Sequence, residues 1–274
     1  MASRPHHSFY ATARDTTLGA AAFALAAAFV AFIVIALVAL VLRVTPSAFA
    51  AVLRSPTVTE ALWLSLRTSA ISAVIIALCG TPLAALLSLP FRGRALLETL
   101  ITLPVVLPPV VGGLALLLAF GRAGLIGHEL RLFGISLPFT TAAVVMAQIF
   151  VAAPLYVTVA KSAFARVDPK IIDAAATLRA SRTYTFSRVI IPMVLPVLAG
   201  GLALAWARAL GEFGATIMFA GNLPGVTQTM PIAVYVATQT DLQAAIAVAV
   251  VLMALSYAAL LIVRHVGNSS DVTP

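Results

Sequence analysis

The chain has little charge. Of its 274 residues only 9% are Asp, Glu, Lys or Arg, where a water-soluble domain carries about a quarter. A surface that poor in charge excludes an ordinary soluble enzyme or binding module. Cysteine is nearly absent as well: Cys79 stands alone, so no disulfide can close within the chain, and its place in an apolar stretch implies a packing role. His6, His7, His128 and His265 share no ligand spacing on one helix face, and no metal is assigned. There is no Gly-x-x-x-x-Gly-Lys-Ser/Thr run to cradle the phosphates of ATP. Ser-His-Asp, His-Glu-x-x-His and paired-acid constellations are missing too, which leaves a membrane enzyme without a site and the chain without an assigned catalytic residue.

What is present is apolar: 62% of the residues, with a mean hydropathy of +1.08. Stretches of about 18 or more apolar residues cross a bilayer as helices, because the hydrocarbon offers nothing to a broken backbone. Six such stretches fall at 19–42, 58–89, 95–120, 139–160, 194–220 and 242–263. The first follows Arg14 and precedes Ala48-Phe49-Ala50, the layout of a cleaved signal. Signal cores run only about 7–15 apolar residues, so the expectation is a retained span. With no polar linker and no repeat, the fold expected is an all-α integral membrane protein. One domain, 19–264, lies between polar tails at 1–18 and 265–274.

The net charge of +8 is explained by where the cations sit. With the amino end inside, the inner segments hold Arg4, Arg14, Arg92, Arg94, Lys161, Arg166, Lys170, Arg179, Arg182, Arg188 and Arg264; the outer loops hold Arg43, Arg54, Arg122 and Arg131. That bias predicts both termini and the charged loop at about 161–193 on the cytoplasmic side. It asks for no nucleic-acid partner. The outer loop 121–138 could form a short surface helix. Leu103-Pro104 through Pro108-Pro109 to Gly112-Gly113 should bend or unwind the third span, and Gly80-Thr81-Pro82 poses the same choice in the second. Gly200-Gly201 and Gly211 with Gly214 suit close helix contacts in the fifth.

Within the charged loop, Asp168 suits an N-cap and Pro169 a first helical turn, and Ile171, Ile172, Ala175 and Leu178 recur at near-helical spacing. The loop therefore reads as two short helical pieces separated by a turn. Its Asp173-Ala174-Ala175, then position 179, then nine residues and Val189-Ile190-Ile191-Pro192, resembles the EAA loop of permease subunits in ATP-binding-cassette importers. The resemblance implies that Asp173, Ala174, Ala175, Arg179 and Pro192 couple the chain to a separate ATP-binding subunit. Asp173 replaces the usual Glu and keeps its charge. Arg179 replaces the usual Gly, at a cost of roughly 1 kcal/mol if the turn there is left-handed.

The fifth span carries Ala207-Arg208-Ala209-Leu210-Gly211-Glu212-Phe213-Gly214, continues to Asn222-Leu223-Pro224-Gly225, and is followed by Thr227-Gln228-Thr229-Met230-Pro231. With Leu103 to Pro109, this is similar to the permeases of molybdate importers. The resemblance implies a homodimer in the membrane lipid forming a path for molybdate, with sulfate or tungstate as the alternative solute. It also implies an external oxyanion-binding protein, and ATP used only by the partner subunit, with no cofactor held by this chain. From the residues alone, Arg208 and Glu212 stand four apart and can neutralise each other. Arg67 is a second candidate partner for Glu212. Thr216, Asn222, Thr227, Gln228 and Thr229 could line a path with uncharged groups. The rival reading is an ion-driven carrier whose proton relay uses Arg67, Glu98, Arg208 and Glu212.

Overall fold

The computed structural model describes residues 17–268. Arg4, His6, His7 and Arg14, and the tail past residue 268, lie outside the described residues, as do the side chains of Arg264 and His265. Every regular element among the described residues is helical. In chain order they are α1 (Thr17–Arg43), α2 (Pro46–Arg54), α3 (Pro56–Ser88), α4 (Arg94–Val106), α5 (Pro109–Phe120), α6 (Gly127–Leu132), α7 (Thr141–Ala165), α8 (Pro169–Thr177) and α9 (Arg182–Thr185). A π turn (Phe186–Ile190) then leads into α10 (Ile191–Leu210), followed by α11 (Gly214–Phe219), α12 (Met230–Thr238) and α13 (Leu242–Asn268).

Five helical stretches are long and apolar enough to cross a membrane: α1, α3, α7, α9 through α10, and α13. The expected third span is not one helix. It breaks between Val106 and Pro109, and its halves lie at 118°, because Pro108 has no N–H to give and Pro109 opens a new helix. α4, with 13 residues, is about 20 Å long, short of the roughly 30 Å hydrocarbon layer. The pair still runs the length of α7. Glu98 of α4 meets Lys161 near the end of α7, while Leu116 and Phe120 of α5 pack with Ala143 and Val144 at its beginning. The fifth span also differs from the expected 194–220: α10 starts at Ile191 and stops at Leu210, and Gly211-Glu212-Phe213 separates it from α11.

α7 is the central post, packed against α3, α10 and α4. Its Ala143, Ala147, Ala152 and Ala160 are fully buried, and small side chains of this kind let helix backbones approach. Gly201 of α10 fits the same way, since a Cβ there would stand 2.9 Å from Val159 Cγ1. Gly200 and Gly211 make no such contact. A polar seam runs down the inner face of α3. Ser72 Oγ donates to Gln148 Oε1 at 2.9 Å, Gln148 Nε2 to Thr68 Oγ1 at 3.2 Å, Trp206 Nε1 to Ser69 Oγ at 3.0 Å, and the Met230 N–H to Ser65 Oγ at 2.8 Å. α3 continues unbroken through Gly80-Thr81-Pro82. Gly80 makes room for the Tyr156 ring, and Thr81 Oγ1 lies 2.6 Å from the Tyr156 hydroxyl. Cys79, expected to pack, is exposed. The loop 121–138 contains the anticipated short helix, α6.

Candidate functional site

The charged loop folds as two helical pieces. Asp168 caps α8 by accepting from the Lys170 N–H at 2.9 Å, and Pro169 occupies the first turn. At the other end the Arg179 N–H donates to Ala176 O (2.9 Å) and the Ala180 N–H to Ala175 O (3.0 Å), the paired bonds of a Schellman stop. That stop needs a left-handed residue, and Arg179 supplies it at φ 57°. The left-handed turn considered for position 179 is therefore present, and Arg carries its steric cost. Ser181 then caps α9 through the Tyr184 N–H. Pro192 enters the following helix just after the π turn, whose wider coil relieves the clash between its ring and the preceding turn.

The loop stands away from the rest of the chain. Only Ala175 of α8 is buried, while Asp173, Ala174, Arg179 and Pro192 are exposed. Leu178 is 82% exposed and Ile172 45%, so half of the apolar stripe anticipated on α8 has nothing from this chain to cover it, and Tyr184 on α9 is exposed beside the turn. The base of the loop is braced by Phe164 of α7 stacked on Phe186 of the π turn, with centroids 5.9 Å apart.

The second cluster lies where α10 stops. Glu212 is 1% exposed. Its Oε1 accepts from the Ala215 N–H at 2.8 Å, satisfying a backbone donor that the break leaves without a helical partner. Arg208 Nη1 sits 2.8 Å from Oε2, out of line for a hydrogen bond, so this contact is electrostatic. With the pair closed, the Arg208 charge is balanced by Glu212. Arg67 does not join it. It is exposed on α3, in a cleft of about 520 Å³ with Glu60, Trp63, Thr141, Gly225 and Val226.

The polar residues suggested for a path are divided. Asn222 is exposed, but Thr216, Thr227, Gln228 and Thr229 are buried. Thr227 Oγ1 is taken up by the Leu223 N–H at 2.9 Å, so its work is to hold the loop between α11 and α12. Thr216 Oγ1, Gln228 Oε1 and Thr229 Oγ1 are buried without a hydrogen-bond partner. Of the four relay residues only Arg208 and Glu212 meet; Glu98 is bound instead to Arg94 and Lys161, and Arg67 lies in its own cleft. The sequence reading gave the Glu98 triad no structural part; the signal was present in Arg94 and Glu98 four apart on one helix.

A broken-span helical bundle with a projecting two-helix loop defines a class, the membrane component of a solute transporter. Residues 74–269 match the family described as binding-protein-dependent transport system inner membrane component, and the chain belongs to this family of multi-pass inner-membrane permeases. It is 44% identical over 245 residues to the Molybdenum transport system permease protein ModB of Mycobacterium tuberculosis, covering 89% of this chain and 91% of that one. It is 43% identical over 182 residues to the ModB protein of Escherichia coli (strain K12), covering 61% and 80%. Among solved structures it is similar to a chain of a bacterial ABC transporter involved in the import of alginate. That likeness has a TM-score of 0.74 and 17% identity, over 95% of this chain and 97% of that one, which speaks to the fold alone.

Proposed function

We propose that this chain is the permease subunit of an ATP-driven importer of molybdate. Two copies enclose one path in the lipid bilayer. Each offers α8, on the cytoplasmic side, to an ATP-hydrolysing subunit, and an oxyanion-binding protein delivers the solute from outside. The chain itself holds no cofactor and hydrolyses no ATP. The observation that carries this reading is the likeness to the mycobacterial molybdenum permease along nine-tenths of both chains.

The exposed Ile172, Leu178 and Tyr184 are the apolar contacts for the ATPase groove, and Asp173 with Arg179 are its charged rim. Nucleotide closure draws the two coupling loops together and turns the path outward; hydrolysis lets it reopen inward. The Arg208–Glu212 pair fixes the end of α10 and leaves the dianion to weaker, uncharged contacts, which pass an ion on without trapping it.

The test is uptake into proteoliposomes holding the permease, its ATP-hydrolysing partner and the loaded binding protein. Molybdate uptake should require all three components and ATP, and tungstate and sulfate in competition rank the oxyanions. Asp173→Lys, at unchanged membrane insertion, should lower uptake by about tenfold, the effect of losing roughly 1.4 kcal/mol at the contact. Uptake that follows a proton gradient without the ATPase subunit would overturn the proposal, as would ATP hydrolysis by the permease alone.

A further inference from the structure

We propose that the ion pair between Glu98 and Lys161 is the strut through which the coupling loop moves the broken span, which makes both residues positioning residues for transport. The proposal rests on the importer reading. Among the described residues this is the single ion pair that joins two separate spans: Lys161 Nζ lies 2.7 Å from Glu98 Oε1. The others, Arg94–Glu98 at 2.6 Å and Arg208–Glu212 at 2.8 Å, each link residues four apart in sequence. Arg94 Nε meets the same oxygen as Lys161 and so holds the carboxylate in place for it.

α4 has little else to hold it. None of its residues is buried, and its apolar purchase on the core is through the half-covered Leu97 and Ile101. The facing helices enclose a cleft of about 400 Å³ that also contains Thr99, Thr102, Thr158 and Ser162. Each of those hydroxyls donates to a carbonyl of its own helix, so none bridges the cleft. The load between α4 and α7 falls on the ion pair.

The pair stands where a push from the loop would arrive. Lys161 is on the last turns of α7, which lead directly to the Asp168 cap of α8. Beyond Glu98, α4 runs to the unwound joint at Leu107 and Pro108, a place where the backbone can turn without breaking helical bonds. Past the joint, α5 is locked onto α11. A Cβ on Gly113 would stand 2.7 Å from both Ala215 O and Met218 Cβ, and one on Gly214 would stand 2.8 Å from Pro109 Cβ. Contact that tight transmits displacement. α11 in turn is tied through the Ala215 N–H to Glu212. A continuous line of contacts thus connects α8 to the Arg208–Glu212 pair, and the Glu98–Lys161 contact is its one electrostatic link between spans.

The experiment uses the assembled transporter in proteoliposomes and reads molybdate imported per ATP hydrolysed. Glu98→Gln and Lys161→Met should each lower that ratio by about tenfold, while the ATPase subunit still co-purifies and still hydrolyses. The exchanged pair Glu98→Lys with Lys161→Glu, made together with Arg94→Gln to remove the like charge four residues away, should restore a large part of the ratio. A wild-type ratio in the single variants overturns the strut, and so does an exchanged pair no better than either single. Transport and hydrolysis falling together would also overturn it, since that marks a structural role. A second readout does not depend on the solute: spin labels at Leu100 on α4 and Leu118 on α5 should change separation when ATP binds the wild-type complex and stay fixed in Glu98→Gln. No change in the wild type would overturn the strut even if molybdate is imported; failure of molybdate import with the change intact would strike the importer reading alone.

Discussion

α1 and α7 are both long and apolar enough to cross a bilayer, yet half of the most apolar window of α7 is buried in the chain and none of that of α1 is. The buried helix is the more polar one. α7 carries Gln148, Pro154 and Tyr156 among its buried residues, whereas α1 turns Phe23, Leu25, Phe29, Phe32 and Ile35 outward, each more than half exposed. In water the order would be reversed. In a bilayer the lipid tails are as apolar as leucine, so a large apolar side chain gains little by leaving them, and helices associate through small residues and hydrogen bonds. α1 touches the bundle across an apolar cleft against α13, lined by Leu37, Val41, Met253 and Tyr257, and its remaining surface is left for lipid or a second copy.

The sharpest way to break this contrast is to place the same substitution in both helices. Ala147→Leu adds volume at a fully buried position between α5 and α11, where overpacking costs about 1–3 kcal/mol. Its melting temperature in detergent should fall by roughly 5 °C. Ala26→Leu on α1, at an exposed position, should leave the melting temperature unchanged. Equal losses would mean that α1 is packed as tightly as α7, and the contrast would be gone.

The hydrogen-bonded side of the argument predicts a smaller effect. Gln148→Leu removes the side chain that joins Ser72 and Thr68 while adding apolar surface. If buried polar groups hold these helices together, it destabilises by about 0.6–1.7 kcal/mol, measured by unfolding in mixed micelles. A stabilised variant would show that apolar burial drives the packing after all.

The same physics explains what was legible in the sequence. Six apolar stretches gave the class, and five of them fall on helices long enough to cross while the third falls on a bent pair, because a bilayer leaves the backbone few options. Asp168 and Pro169 are local signals whose partners lie within three residues, so the shape of the charged loop could be read as well. The Arg208–Glu212 pair was visible for the same reason. Tertiary facts were not. Burial of Thr216 depends on α11 packing against α5 and α7. The separation of Arg67 from Glu212 depends on which face of α3 meets α10. The tie from Glu98 to Lys161 spans two crossings that no spacing rule connects.

The contrast between helices extends to the two places where the backbone leaves helical form near a candidate site residue. At Gly211–Phe213, just past the end of α10, the buried Glu212 accepts the Ala215 N–H that the break frees. At Arg179, on the exposed loop, the stop is satisfied by the backbone itself through Ala175 O and Ala176 O, and the side chain has only the steric cost of φ 57°. Arg179→Gly should relieve that cost while raising the chain entropy of the unfolded state, a net gain of roughly 0.5 kcal/mol. Exchange of the Arg179 and Ala180 amides should then slow by about twofold, with the global melting temperature unmoved. Faster exchange would mean that the Arg side chain holds the turn through a contact worth more than its strain, and position 179 would then belong with Glu212 among breaks that depend on a side chain.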